Sequence, residues 1–341
     1  MNTRKLRIAI WAVVAFGAMS LCFGGRGDAK MTLRMIGFLP LNHHITKMET
    51  ILKNEIEKNA KGQIEIKFYP AQQLYNHKNS VPVLQKGGVE MGTVQTGFWT
   101  GLLPSISVMA FNTYFNSVEH YEAIMEGYPG EVFKKDFEEL GNLKVIGWAN
   151  YGQGEIASKD PIKTLEDFKG KRIRATGGDA ALFIQAVGAA PVTMNSGEVY
   201  QALQRGTVDG AMSGPSTFDQ RKWYEVVKYG TQSSLLPAYA YWMLVHIDTW
   251  KKFSPELQKV FLDAAKKARA FNSKAVIEDD RMGFENTKKR GMIYNRIPLT
   301  ELAKWREKVV PVLLKNYRER VGEAKAKKII DNIEELRKKF Q

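Results

Sequence analysis

The 341-residue chain contains a single cysteine, Cys22, set in an apolar stretch near the N-terminus. Past that stretch there is no thiol to pair, so a disulfide framework is excluded. A chain without thiols suits an oxidising compartment. Histidine is scarce too: His43, His44, His77, His120 and His246 are all there are. No Cys/His cluster and no H-E-x-x-H occurs, which removes the common zinc folds and zinc peptidases. His43 and His44 are adjacent, and adjacent side chains diverge, so they read as a polar loop or helix start and no metal is expected. There is no P-loop, and no G-x-G-x-x-G follows a strand; Gly152-Gln153-Gly154 matches only three residues. Gly210-Ala211-Met212-Ser213-Gly214 lacks the spacing of a nucleophile elbow. With no nucleophile and base in view, an enzyme is not expected, and no cofactor is implied. No low-complexity segment interrupts the chain.

What is present begins with a leader. Arg4, Lys5 and Arg7 precede an apolar run from Ile8 to Phe23, and small residues end at Ala29. That order is a secretory signal peptide over residues 1–29, cut before Lys30. The run is short for a span of about 30 Å of hydrocarbon, and Leu21 before Cys22 argues against a lipoprotein. Removing Arg4, Lys5, Arg7, Arg26 and Asp28 takes away three net positive charges, and +14 becomes +11. A basic balance can mean nucleic acid. Here the lysines alternate with glutamates on helical stretches such as 301–308 and 319–338, and no RNP or zinc-finger motif accompanies them. The charge is read as a solvated surface that aids encounter with anionic solutes or surfaces, and no nucleic-acid partner is expected.

The rest divides into two similar runs. Thr32 to Phe38 reads as a strand and Ile45 to Asn59 as a helix, with apolar residues at helical spacing. Gln63 to Tyr69 alternates cleanly as a strand. A helix over Asn79–Lys86 turns through glycine into a strand near Glu90. The same β-α-β-α-β order returns between Arg172 and Val208, and Leu84-Gln85-Lys86-Gly87 echoes Leu203-Gln204-Arg205-Gly206. Two lobes of like construction with a cleft between them follow. Asn150 to Gly154 is a polar link, and a second crossing is expected near Tyr239–Val245. Ser254-Pro255-Glu256 starts a helix that runs without glycine to Gly283 and could resume to Arg290. Some 30 residues at about 1.5 Å each span roughly 45 Å, too long for one lobe, so this helix bridges both. Thr300 caps a further helix, and Gly322 to Phe340 forms the last. The expected fold is α/β and two-lobed, like a periplasmic binding protein, with a central cleft and a long bridging helix. The division is 30–150 plus about 240–275 for lobe I, and 151–239 plus about 276–341 for lobe II.

Within lobe II the strand Arg172–Thr176 places Arg174 near a carboxyl end, where parallel sheets form their ligand crevice. An arginine there is costly unless an anion pairs with it. Taken alone it could equally make a structural salt bridge. The sequence F-K-G-K-R-I-R, followed by P-V-T-M and E-V-Y-Q-A-L-Q-R-G-T-V-D-G, resembles the solute-binding proteins of TRAP transporters, the DctP family. These are secreted two-lobed receptors that hand small organic acids to a membrane permease. The resemblance implies that Arg174, the arginine of G-K-x-[IL]-R, forms the forked salt bridge to a solute carboxylate.

Other positions depart from that pattern. Gln153 stands where an arginine is usual after the linker, and Ser213 where asparagine is common. Asn195 and Ser196 replace the usual aromatic before E-V-Y. In lobe I, Gln95 and His77 fall where relatives face the ligand. Phe38, Trp148 and Tyr151 would make the cleft wall aromatic. Without the second arginine, a monocarboxylate is expected in preference to a diacid or a sialic-acid-like solute. The expected role is a periplasmic receptor that closes on the acid and delivers it to TRAP permease subunits. A receptor feeding a membrane sensor is the alternative, and an exported hydrolase or lyase a more distant one.

Overall fold

The computed structural model describes residues 30–110, 118–233 and 240–340. The leader and Tyr239 lie outside them. Two sheets organise the chain. The first has the order β2-β1-β3-β10-β4, made of β1 (Met31–Ile36), β2 (Ile64–Tyr69), β3 (Met91–Gln95), β4 (Leu143–Asn150) and β10 (Ala240–His246). β1 runs parallel to β2 and β3, whereas β10 is antiparallel to β3 and β4. In β2, Ile64 and Ile66 are buried while Lys67 between β2 neighbours is exposed, as alternation on a half-covered strand requires. β3 and β10 are buried at every residue because both faces of these central strands are covered. The expected crossing near Tyr239–Val245 is β10, a full member of this sheet.

The second sheet has the order β11-β9-β5-β8-β6-β7. Its strands are β5 (Glu155–Ser158), β6 (Arg172–Ala175), β7 (Ala190–Thr193), β8 (Gly210–Ser213), β9 (Tyr229–Gln232) and β11 (Ile293–Arg296). β6 is parallel to β7 and β8, and β5 is antiparallel to β8 and β9. The link from β4 to β5 is residues 151–154.

The helix Pro255–Lys289 joins the halves. It has 35 residues, about 52 Å at 1.5 Å per residue. Ser254 Oγ accepts from Leu257 N at 3.2 Å, with proline in the first turn. The helix packs on the helix His44–Asn59 and β4 of the first lobe, and on the helix Pro215–Gln220 of the second. Gly283 does not interrupt it. A Cβ there would stand 2.4 Å from Pro215 C and 2.5 Å from Ser216 N, so this glycine marks the point where two helices touch backbone to backbone. Among the described residues no helix is long and apolar enough to cross a membrane.

The C-terminal segment corrects two expectations. The helix Leu299–Val321 begins before Thr300, with Pro298 at its N-cap and no side-chain cap bond. It touches the helix Gly178–Ala186 of the second lobe and also the turn Pro104–Ala110 of the first. The last helix, Glu323–Lys338, packs on Val118–Glu126 and Tyr128–Gly141, both in the first lobe. Its buried stripe of Ala326, Ile329, Ile330 and Ile333 meets apolar helices there. Residues 276–341 therefore do not belong as a block to lobe II.

Candidate functional site

The lobes meet at the carboxyl ends of β3 and β6. A Cβ on Gly177, just past β6, would lie 2.5 Å from Gly97 O, just past β3. The two backbones come closer there than side chains would permit. Beside this contact lies a narrow cleft. Lobe I lines it with Leu39, His77, Gln95, Phe98 and Tyr241, and lobe II with Arg174, Thr176, Ser196, Ser213 and Thr217. Tyr151, from the link, stands between them.

Arg174 is 2% exposed. Its strand neighbour Ile173 faces the core and is buried, so alternation turns Arg174 to the other side of the sheet. Its Nε and Nη2 donate to Met194 O at 3.3 and 3.1 Å, and Nη1 donates to Met212 O at 2.9 Å. Two carbonyls from flanking segments thus fix the plane of the guanidinium at the cleft. Arg172, one pleat earlier on the same face, is spent on Asp209 through Nε and Nη2.

His77 is sandwiched between Phe38 and Phe98, with ring centroids 4.3 and 4.5 Å away. Both its ring nitrogens are buried without a hydrogen-bond partner. Burial, followed by the charges of Arg174 and Arg221, holds its pKa well below the usual histidine range. The ring is therefore neutral and offers one donor and one acceptor. Tyr151 Oη hydrogen-bonds Ser213 Oγ at 2.8 Å and Thr217 Oγ1 at 2.5 Å, and its ring stacks on Tyr241 at 5.8 Å. Across the lobe boundary Gln72 Nε2 donates to Ser196 Oγ at 3.4 Å.

Of the residues expected from sequence, Arg174, His77, Gln95, Tyr151, Ser196 and Ser213 come together here. Four do not line the cleft. Gln153 is exposed, and it is its backbone N that is engaged, donating to Asp280 Oδ2 at 2.8 Å. Trp148 lies under the Arg269 guanidinium, 4.5 Å from the ring, with Lys134 also over it, so strand alternation has turned it to the helix side. Phe38 backs His77 from one layer behind. Asn195 donates to Glu198 Oε1 at 2.8 Å, a local bond. Sequence reasoning missed Thr176, Thr217 and Tyr241, and also Arg221. Thr217 and Arg221 follow the carboxyl end of β8, and that position alone could have drawn notice to them.

His43 and His44 do not diverge. Their ring centroids are 4.3 Å apart and both are buried, because His43 is the N-cap, its Nδ1 accepting from Ile45 N at 3.2 Å. His44 Nδ1 lies 2.9 Å from Asp279 Oδ2 and Nε2 3.3 Å from Asn150 O. With Asp279 the pair forms the metal-like cluster of the described residues. Local hydrogen bonds already employ most of its ligand atoms.

Two α/β lobes, a bridging helix and a buried arginine in the closing cleft define a solute-binding protein. A sequence model of the bacterial extracellular solute-binding proteins, family 7 (DctP), matches residues 38–320. The chain belongs to this family of TRAP-transporter solute receptors, which are binding proteins and not enzymes. It is 27% identical over 243 residues to the 2,3-diketo-L-gulonate-binding periplasmic protein YiaO of Escherichia coli, covering 70% of this chain and 72% of that one. It is 26% identical over 260 residues to the C4-dicarboxylate-binding periplasmic protein DctP of Rhodobacter capsulatus, covering 75% and 77%. The fold is similar to a TRAP periplasmic solute-binding protein from Desulfovibrio salexigens with bound orotic acid. The TM-score is 0.85 at 24% identity, over 90% of this chain and 98% of that one.

Proposed function

We propose that the chain is the periplasmic receptor of a TRAP transporter, that it takes a small organic acid, and that Arg174 holds the acid's carboxylate. One observation carries the reading: a buried guanidinium, fixed by two carbonyls, at the carboxyl end of β6 in a cleft between two lobes. A guanidinium aligns with two carboxylate oxygens where a lysine cannot. The named relatives that bind acids support the chemistry. Residues 1–29 act as the export signal, and delivery is to the membrane permease. The sequence reading of a monocarboxylate rests on Gln153 standing in place of a second arginine.

The mechanism is hinge closure. Open lobes admit the acid, Arg174 takes its carboxylate, and the approach of Gly97 and Gly177 excludes water. Loss of water strengthens the ion pair. No covalent step is involved.

Mass spectrometry of solute released from denatured protein identifies the acid, and calorimetry with that acid tests the site. A hydrogen bond to a charged group contributes about 1.5–3 kcal/mol, and a buried ion stripped of its partner costs about 3–5 kcal/mol. Arg174→Ala therefore weakens binding by roughly two to four decades, and Arg174→Lys recovers only part. Gln153→Ala leaves affinity unchanged. Undiminished affinity in Arg174→Ala, with circular dichroism confirming the fold, removes Arg174 from the site.

A further inference from the structure

A buried guanidinium with no acid beside it is unfavourable. Arg221 is half-buried as a residue, but its Nε is fully enclosed and no acid stands beside it. It caps the C-terminal end of the helix Pro215–Gln220, one turn after the cleft-lining Thr217, to whose carbonyl oxygen its backbone N donates at 3.0 Å. Its Nη2 donates to Phe38 O, in the first lobe, at 3.3 Å. Its Nε is buried and has no hydrogen-bond partner. No carboxylate among the described residues pairs with it. Burial lowers its pKa, and the Tyr151 and Tyr241 phenols act in the opposite sense. The charges of Arg221 and Arg174 both act on the His77 ring and on the Tyr241 phenol. Phe38, whose carbonyl Arg221 holds, stacks on His77, so Arg221 adjoins the cleft wall formed by His77.

An interlobe latch would account for Nη2 and Phe38 O. It leaves unexplained why Nε has been stripped of water and given no acceptor. Nε and the adjacent amino group form the edge that takes oxygen acceptors in pairs. His77, its ring nitrogens also unpartnered, offers a donor and an acceptor nearby. Arg221 is not at the linker position where the TRAP pattern carries its second arginine, since Gln153 stands there.

We propose that Arg221 is a specificity-determining residue that donates to an oxygen at the end of the solute remote from Arg174. The cleft then favours acids with an oxygen-bearing far end over acids of the same length that end in hydrocarbon. The inference rests on the reading of the cleft as an organic-acid site and adds the second point of recognition. The far oxygen can belong to a carboxylate or to a hydroxyl, and the probes separate these sources.

The test is calorimetry on solute-free full-length mature protein with matched acids. Succinate and 4-hydroxybutyrate are compared with butyrate, adipate with hexanoate, and L-galactonate with L-fuconate. Wild type is expected to prefer the oxygen-ended member of at least one set by about ten- to a hundredfold, the worth of a hydrogen bond to a charged group. Arg221→Met removes the donor at similar volume, and the preference is expected to fall below about threefold. Arg221→Lys keeps part of it. Should Arg221→Met fail to fold by circular dichroism, Arg221→Gln serves in its place.

Succinate favoured over 4-hydroxybutyrate identifies the far group as anionic, and equal binding identifies it as a neutral oxygen. Three results overturn the proposal. The preference can survive in the variant, or both members can weaken equally, which marks a latch. Wild type can also show no preference or bind none of the probes. Arg174→Ala is run beside these. If it binds as wild type, the carboxylate reading fails separately, while the Arg221 ratio still stands or falls by its own measurement.

Discussion

Gly283→Ala tests whether the bridging helix fixes the second wall of the site. The added methyl would sit 2.4 Å from Pro215 C and 2.6 Å from Pro215 O. Non-bonded carbons settle at about 3.5–4.0 Å, so the helix Pro215–Gln220 must retreat by roughly 1 Å. Two effects compete. Alanine in a helix interior gains about 1 kcal/mol over glycine, and overpacking costs about 1–3 kcal/mol. The obstacle is backbone, which cannot rotate away, so the upper part of that cost applies and the net loss is about 1–2 kcal/mol. At about 2–4 °C per kcal/mol the melting temperature falls by roughly 2–8 °C. Binding is the sharper readout, because the displaced helix carries Thr217 and ends in Arg221. A shift of that size breaks the Tyr151–Thr217 bond and moves the Arg221 bond to Phe38 O. Two hydrogen bonds at about 1 kcal/mol each amount to roughly a thirtyfold loss of affinity. Differential scanning fluorimetry and calorimetry with the solute read both effects. A variant that melts higher than wild type and binds equally well would show that helix propensity wins and that this contact does not position the site.

Asp280 sits beside the link, with Oδ2 accepting from Gln153 N at 2.8 Å. Burial, aided by the neighbouring Asp279 and Glu155 charges and opposed by the Gln153 N–H, pushes its carboxyl up to about 8. Below pH 4 both folded and unfolded chains hold this proton. Between about pH 4 and 8 only the folded chain does, so stability declines with rising pH across that window and levels off above it. Asp280→Asn keeps an acceptor and removes the titration. It is expected to flatten the fall in melting temperature from pH 4.5 to 8, with a gain greatest at pH 8 and on the order of a few kcal/mol; an unaltered slope refutes the assignment. Asn272, on the bridging helix, clamps the same link by accepting from Asn150 N at 2.8 Å and donating to Asn150 O at 3.1 Å. Asn272→Ala removes both bonds and leaves Asn150 O with His44 Nε2 at 3.3 Å, and urea unfolding should show a loss of about 1–2 kcal/mol.

The sequence made the elements legible wherever a strong local pattern coincided with burial. Gln63 to Tyr69 alternates because one side of β2 faces the core, and Ser254-Pro255 starts a helix because both residues satisfy its first turn. The strands β5, β9 and β11 are four residues each, too short for a period to register. Gly283 looked like an interruption because propensity is local, whereas the reason for this glycine is a helix 68 residues earlier in the chain. The last helix was placed in the wrong lobe for a related reason: its apolar stripe specifies that it must be covered but not by what. The site divides along the same line. Arg174 could be read because its strand, the glycines after it and its motif all lie within a few residues. Trp148 could not, since the face it takes depends on the phase of β4, whose pairing with β10 shifts register near Met243 and Leu244. Arg221 gave no local sign beyond its place after the carboxyl end of β8. Its guanidinium matters only because Phe38 O from the other lobe reaches it when the lobes are together. The parts of the site held within one lobe were thus written locally, and the parts that exist only between lobes were not. If the proposed roles hold, selectivity changes by substitution at helix ends such as Arg221 while Arg174 and the fold stay as they are.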